Sequence, residues 1–182
     1  MNLLPTTFVF AMAAGVNTLS VAWQQEREWL TRRFGSRAWY VHLAIITPIW
    51  GLFLLLQGRL GSQVHWPLAP ELKPAGVALG TLGVALLLGT SWQLGLTRTF
   101  NGYFFGRGRQ EPVSGGVFRW LRNPIYDSFL VLFVAEAFGL GNAVYLILAA
   151  ESFLLLNQLE ARVENRPFRA DPRTGPAPRA GL

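Results

Sequence analysis

Apolar residues in this chain come in long runs, without the alternation of a half-buried strand or the narrow stripe of a soluble amphipathic helix. A helix needs about 20 mostly apolar residues to cross the hydrocarbon layer of a bilayer. Residues 3–23 form the first such run, 39–57 the second and 74–96 the third. Pro48 interrupts the second and predicts a kink. Pro74 opens the third, where its fixed φ suits a first helical turn. A fourth apolar region, 125–159, is too long for one crossing. The turn-like Gly139-Leu140-Gly141-Asn142 divides it into legs of about 15 and 17 residues, each short for a full span. The pattern predicts an all-α, polytopic transmembrane bundle of three spans plus a C-terminal helical hairpin, about five helices in all. The second leg of that hairpin returns the chain to the side it came from.

Composition agrees with this class. At 182 residues there is room for one domain. Only 14% of the residues are charged, where about 25% is usual in a soluble domain. Residues 1–168 are expected to form the transmembrane domain. The remainder, 169–182, is rich in Pro, Gly and Arg and is expected to be a disordered basic tail. The first segment, MNLLPTTFVFAMAAG, lacks a basic n-region and reads as a retained span, not a cleaved signal. There is no Cys, which excludes disulfides and thiolate metal sites and leaves the redox compartment open. His42 and His65 fall at opposite predicted ends, which argues against a shared metal site.

The net charge of +6 would suggest nucleic acid in a soluble protein. Its distribution says otherwise. Arg27, Arg32, Arg33 and Arg37 follow the first run; Arg98, Arg107, Arg109, Arg119 and Arg122 follow the third. Arg162, Arg166, Arg169, Arg173 and Arg179 follow the hairpin, and only Arg59 and Lys73 fall on the other side. By the positive-inside rule the three Arg-bearing segments are cytoplasmic and the N-terminus is outside. Nucleic acid is therefore not an expected partner; the bilayer and its headgroups are. Trp23, Trp39, Trp66 and Trp92 stand near predicted span ends, as interfacial aromatics do. The stretch EREWLTRRFGSRAWY is expected to lie on the membrane surface as an amphipathic helix with Trp29, Leu30 and Phe34 toward lipid. The membrane itself is expected to be the inner membrane of a prokaryote, or the endoplasmic reticulum of a eukaryote.

Polar residues gather where the third Arg-bearing loop meets the hairpin ends. Gly102, Gly106, Gly108, Gly115 and Gly116 allow a backbone to approach a ligand, and Tyr103, Phe104 and Phe105 either stack on a base or lie in the interface. Neither GxxxxGK[ST] nor a strand-linked GxGxxG is present, so these glycines alone read as loop more than as site. In Arg122-Asn123-Pro124-Ile125-Tyr126, Pro124 suits the first turn of the hairpin and Asn123 its N-cap. A helix N-terminus beside Arg122 favours an anion, either a ligand carboxylate or a lipid phosphate. Glu160 and Glu164 are four apart on one helix face, and their mutual repulsion calls for a cation. An Arg, a Tyr and two carboxylates at one place suit a zwitterionic, cationic cosubstrate. Asp127, Glu136 and Glu151 lie inside the hairpin, where carboxylates are costly and point to function by default. Asp127 also reads as a first-turn acid, Glu136 as near water, and Glu151 as neutral or hydrogen-bonded.

With those residues in view, the chain resembles the integral-membrane phosphatidylethanolamine (phospholipid) N-methyltransferases, relatives of the isoprenylcysteine carboxyl methyltransferases. The likeness runs from the first span to about Phe168 and rests on LTRRFGS, AGVALGTLGVALLL, LGLTRTFNGYFFG and LRNPIY, in that order. LRNPIY, like the family's NPMY or RHPxY turn, is the most specific. The resemblance implies S-adenosyl-L-methionine as methyl donor, held by Gly80, Gly83, Gly102, Tyr103, Arg122, Asn123, Pro124, Tyr126, Glu160 and Glu164. It implies catalytic roles for Glu164, Glu160 and Tyr126, a membrane phospholipid as acceptor, and no metal. Thr81 stands where the family's GxG has its first Gly, and Val163 where its terminal pair has the first Glu. Ser128 replaces a usual Gly, and Asn101-Gly102-Tyr103 lacks the family's Asp. A different membrane-borne acceptor, such as a prenylcysteine carboxylate, or a non-enzymatic lipid-binding role are the alternatives.

Overall fold

The computed structural model describes residues 3–106, 113, 115–121 and 123–164, and of residues 61, 160, 161 and 164 the main chain only. The expected tail, 169–182, and Arg122 lie outside the described residues. The predicted all-α membrane bundle is what forms. Its long helices are α1 (Leu3–Arg27), α3 (Ala38–Gln63) and α4 (Lys73–Leu94), of 25, 26 and 22 residues. At 1.5 Å per residue each exceeds the roughly 30 Å of hydrocarbon. Among the described residues three helices are thus long and apolar enough to cross a membrane. Helix α3 continues unbroken through Pro48.

The hairpin also forms where expected. Helix α6 (Pro124–Gly139) is its first leg, and α7 (Tyr145–Ser152) begins its second. The second leg then widens into a π-helical stretch, Phe153–Glu160, before a last turn, α8 (Ala161–Glu164). A π-helical segment of that length is rare and such segments concentrate at functional sites. Nothing in the residue pattern foretold it.

Helix α6 packs chiefly on α4, through a face of small residues. Gly76, Gly80 and Gly83 share that face at helical spacing. A Cβ on Gly76 would overlap the Gly139 backbone, and one on Gly83 would stand 2.8 Å from Leu132 Cγ. One on Gly80 would meet the Ala135 methyl at 3.8 Å, ordinary contact. The main core, around Phe10, Phe53, Phe133 and Leu148, joins α1, α3, α6 and α7. A second cluster of Val21, Leu30, Ala38, Phe104, Phe105 and Val163 lies toward the Arg-rich end.

At the opposite end, buried Asn142 ties the hairpin turn to the α3–α4 connection. Its Oδ1 accepts from the Trp66 and Val144 amides at 2.9 and 3.2 Å, and its Nδ2 donates to the Val64 carbonyl at 2.8 Å. The short helix α2 (Trp29–Phe34) forms in the stretch expected on the membrane surface. Trp29 and Phe34 are exposed as expected, but Leu30 is 3% exposed and belongs to the second core cluster. A fully apolar side chain loses less by packing on Phe104 and Phe105 than by remaining at a wet interface.

Candidate functional site

The site is built by two turns that meet at the Arg-rich end. After α4 the chain turns at Gly95, makes the single turn α5 (Leu96–Thr99), and reverses at Asn101 with φ +61°. That left-handed conformation is one that Asn tolerates better than most residues. Asn101 Nδ2 donates to Asn17 Oδ1 on α1 at 3.0 Å, and Trp39 Nε1 of α3 donates to the Phe100 carbonyl at 2.8 Å. Phe104 and Phe105 are driven into the second core cluster, and the Phe105 ring lies 4.7 Å from that of His42. His42 Nδ1 is in turn 2.6 Å from Ser20 Oγ. With its neighbours pinned in this way, Tyr103 stands at a fixed place, with the Arg98 guanidinium 5.9 Å from its ring centroid. Gly102 is required here, because a Cβ would strike Thr97.

The second turn is Asn123-Pro124-Ile125-Tyr126. Pro124 begins α6 as expected, and Asn123 holds the N-cap position without a side-chain capping bond. Its carbonyl instead accepts from the Asp127 amide at 3.0 Å, which starts the helix. The two turns enclose a half-open cavity of about 250 Å³. Asn101, Tyr103 and Phe104 line one wall, Asn123, Pro124, Ile125 and Tyr126 another, and Leu94, Arg98, Thr99 and Phe118 complete it. A cavity with an aromatic wall, two amides, a guanidinium and the positive end of a 16-residue helix suits a ligand with a flat ring, hydroxyls and a carboxylate.

The structure thus brings Tyr103, Asn123, Pro124 and Tyr126 into one cavity and places Gly102 in its supporting turn. Gly80 and Gly83 lie elsewhere, on the α4 face against α6. Arg122 lies outside the described residues. Glu160 ends the π-helical stretch and Glu164 ends α8, with only their main chains described. Between them Val163 is buried among Phe104 and Phe105, so this position faces the core beneath the Tyr103 turn. Leu94, Arg98, Thr99, Asn101, Phe118 and Ile125 are not among the expected site residues. The first four fall in the LGLTRTFNGYFFG stretch and Ile125 in LRNPIY, which were the available signals; Phe118 had none.

Two intramembrane carboxylates have hydrogen-bond partners. Gln57 Nε2 donates to Glu136 Oε2 at 2.6 Å, so Glu136 is bonded across α3 and α6, where access to water was expected. Asn157 Nδ2 donates to Asp127 Oδ1 at 2.5 Å. Glu151 Oε2 is buried without a hydrogen-bond partner among the described residues, which does not conflict with the neutral acid that was one of its two expected states.

A helical bundle with three helices apolar enough to cross a membrane, among the described residues, thus carries a cavity with polar and aromatic lining at its Arg-rich end. Comparison with known proteins specifies the family. The phospholipid methyltransferase family model matches residues 72–169, which include both cavity turns and the hairpin. The phosphatidyl-N-methylethanolamine N-methyltransferase of Neurospora crassa is 31% identical over 150 residues, 79% of this chain and 69% of that protein. That of Emericella nidulans is 33% identical over 131 residues, 69% of this chain and 63% of the relative. Phosphatidylethanolamine N-methyltransferase A of Dictyostelium discoideum is 32% identical over 79 residues, covering 43% of this chain and 37% of that protein. No solved structure matches the chain. The chain belongs to the phospholipid methyltransferase family and is an enzyme of that class.

Proposed function

We propose that this protein transfers methyl groups from S-adenosyl-L-methionine to the amine of a membrane phospholipid, phosphatidylethanolamine or its methylated forms, at the cytoplasmic interface. The observation that carries this reading is the cavity in which Asn101 and Tyr103 face Asn123, Pro124 and Tyr126 at the Arg-rich end. Its lining fits the donor part by part. Tyr103 and Phe118 offer faces for the adenine, and the Asn101 and Asn123 amides can bond ribose hydroxyls. The N-terminus of α6, with Arg98 and Arg122, favours the carboxylate. Glu160 and Glu164, at the end of the same hairpin, balance the donor's ammonium and sulfonium charges. Gly80 and Gly83 act at one remove, by letting α6 approach α4 and so setting where Asn123 and Tyr126 stand.

A donor bound there supplies an electrophilic methyl group on sulfur. The protein's contribution is chiefly to position acceptor and donor in line, and a well-oriented pair gains several orders of magnitude over free encounter. Tyr126 belongs to the first turn of α6 and forms one side of the transfer path. The lipid reaches the site laterally from the bilayer while the donor enters from the cytoplasm. The inner membrane of a prokaryote or the endoplasmic reticulum satisfies that geometry.

Two measurements test this. Calorimetry with S-adenosylhomocysteine should show binding to the purified protein, weakened about tenfold or more by Tyr126→Ala and Asn123→Ala. Mass spectrometry of lipids from a host devoid of methylated phosphatidylethanolamine should show those lipids once the protein is expressed. Binding without lipid methylation would move the acceptor to another class, such as a prenylcysteine carboxylate. Absence of both would refute the enzyme reading.

A further inference from the structure

We infer that Asp127 and Asn157 form the acceptor subsite, where Asn157 holds an N–H of the lipid amine and Asp127 takes its proton; this rests on the phospholipid N-methyltransferase reading above. Tyr126 lines the donor cavity. Asp127, the next residue on α6, is turned about 100° from it around the helix. Its Oδ1 meets Asn157 Nδ2 at 2.5 Å, across the gap between α6 and the π-helical stretch. The pair therefore stands one residue from the cavity wall, on the face of α6 turned toward the hairpin's second leg.

The polarity of the pair shows what it is built to receive. An ionised carboxylate only accepts, so the Asn157 amide must turn its NH₂ to Asp127 and its Oδ1 away. That Oδ1 is buried and has no hydrogen-bond partner among the described residues. A buried acceptor without a donor is an exception in folded proteins and calls for an explanation. An N–H of an incoming amine is such a donor. Asn157 also lies within the π-helical stretch, whose wider turn departs from the regular helix on either side of it. An intramembrane carboxylate beside it is costly unless it is used.

The chemistry closes on these two groups. A lipid amine arrives largely as an ammonium and must lose a proton before it can attack. The proton passes to the Asp127 carboxylate, and the freed nitrogen lone pair forms the N–C bond as the S–C bond of the sulfonium donor breaks. The donor leaves as a neutral thioether, and Asp127 returns its proton to water at the interface. Primary and secondary ammonium groups offer Asn157 Oδ1 an N–H beside the proton that passes to Asp127, and a tertiary ammonium offers its single N–H on arrival, before that proton passes to Asp127. A quaternary ammonium offers none, so the subsite holds each unfinished acceptor and releases the finished one.

The test uses the full-length protein in phosphatidylethanolamine-containing vesicles with S-adenosylmethionine, and S-adenosylhomocysteine binding as a parallel readout. Asp127→Asn should lower turnover about a hundredfold or more, the range of a proton-transfer group. Asn157→Leu should raise the KM for lipid about tenfold, the worth of a hydrogen bond, with a smaller change in kcat. Both variants should bind S-adenosylhomocysteine as the wild type does. Wild-type kinetics in both variants would overturn the proposal, and so would loss of S-adenosylhomocysteine binding in both, which would make the pair a packing element. A wild-type protein that binds S-adenosylhomocysteine but methylates no lipid amine would overturn the acceptor reading itself, and this subsite with it.

Discussion

The three glycines that join α4 to α6 invite a graded perturbation, because an added methyl group meets something different at each. In Gly76→Ala it lands on the Gly139 backbone, which cannot rotate aside. Either the helices separate or α6 slides, and overpacking of this kind costs up to about 3 kcal/mol, roughly a hundredfold in the folding equilibrium. In Gly83→Ala it presses on the Leu132 side chain, with Cγ at 2.8 Å and Cδ2 at 2.9 Å. Leucine can change rotamer, so about 1 kcal/mol is expected. In Gly80→Ala it makes ordinary contact with Ala135 at 3.8 Å. There the better helix propensity of Ala, up to about 1 kcal/mol, makes the change neutral or stabilising. Unfolding of the purified protein in mixed micelles, followed by helical circular dichroism, should rank stability as Gly80→Ala, then Gly83→Ala, then Gly76→Ala. S-adenosylhomocysteine titration of the same samples separates packing from direct contact. If Gly80→Ala were as stable as the wild type yet bound the ligand tenfold more weakly, the indirect role assigned to this glycine would be wrong. A stability order with Gly80→Ala at the bottom would refute the steric argument altogether.

Two further outcomes follow from the bundle. Gln57→Leu should destabilise the protein by about 1–3 kcal/mol by leaving Glu136 unpaired, and adding Glu136→Leu should recover most of that loss in the same unfolding assay. Cysteine placed at exposed Ser62 should react with an impermeant maleimide outside intact cells, and cysteine at exposed Gly115 should not; labelling at Gly115 in sealed cells would invert the assigned orientation.

The spans could be read from the residues because a membrane crossing is a local property, set by twenty or so consecutive side chains. The Gly139-Leu140-Gly141-Asn142 turn was legible for the same reason. What depends on distant partners was not. Leu30 looked lipid-facing because its neighbours are amphipathic, and only the fold brings Phe104, Phe105 and Val163 over it. Asn142 looked like a turn residue, yet its side chain bonds the backbone of Val64 and Trp66 across the connection. The π-helical widening at 153–160 has no compositional mark. At the site, Tyr103 and the 123–126 turn could be named because they are chemically distinctive in a known order. The partners Leu94, Thr99 and Phe118 are ordinary residues that only the third dimension gathers around them.

The shortness of the hairpin has a consequence for how the nascent chain enters the bilayer. Helix α6 has 16 residues, about 24 Å of rise, and carries two carboxylates. Released alone into lipid, Asp127 and Glu136 would each oppose partitioning by some kcal/mol. Their hydrogen-bond partners sit on opposite sides of α6 in chain order. Gln57 belongs to α3, already translated and inserted, whereas Asn157 is made later, on the second leg. One of the two hydrogen-bond donors is therefore waiting in the membrane when α6 emerges, and the other is still in the ribosome. A chain halted between the two legs should remain at the translocon or the surface, and integration should complete as one step once Asn157 has been delivered. Insertion of such a hairpin is expected to be an act of tertiary folding, timed by synthesis, more than an act of partitioning.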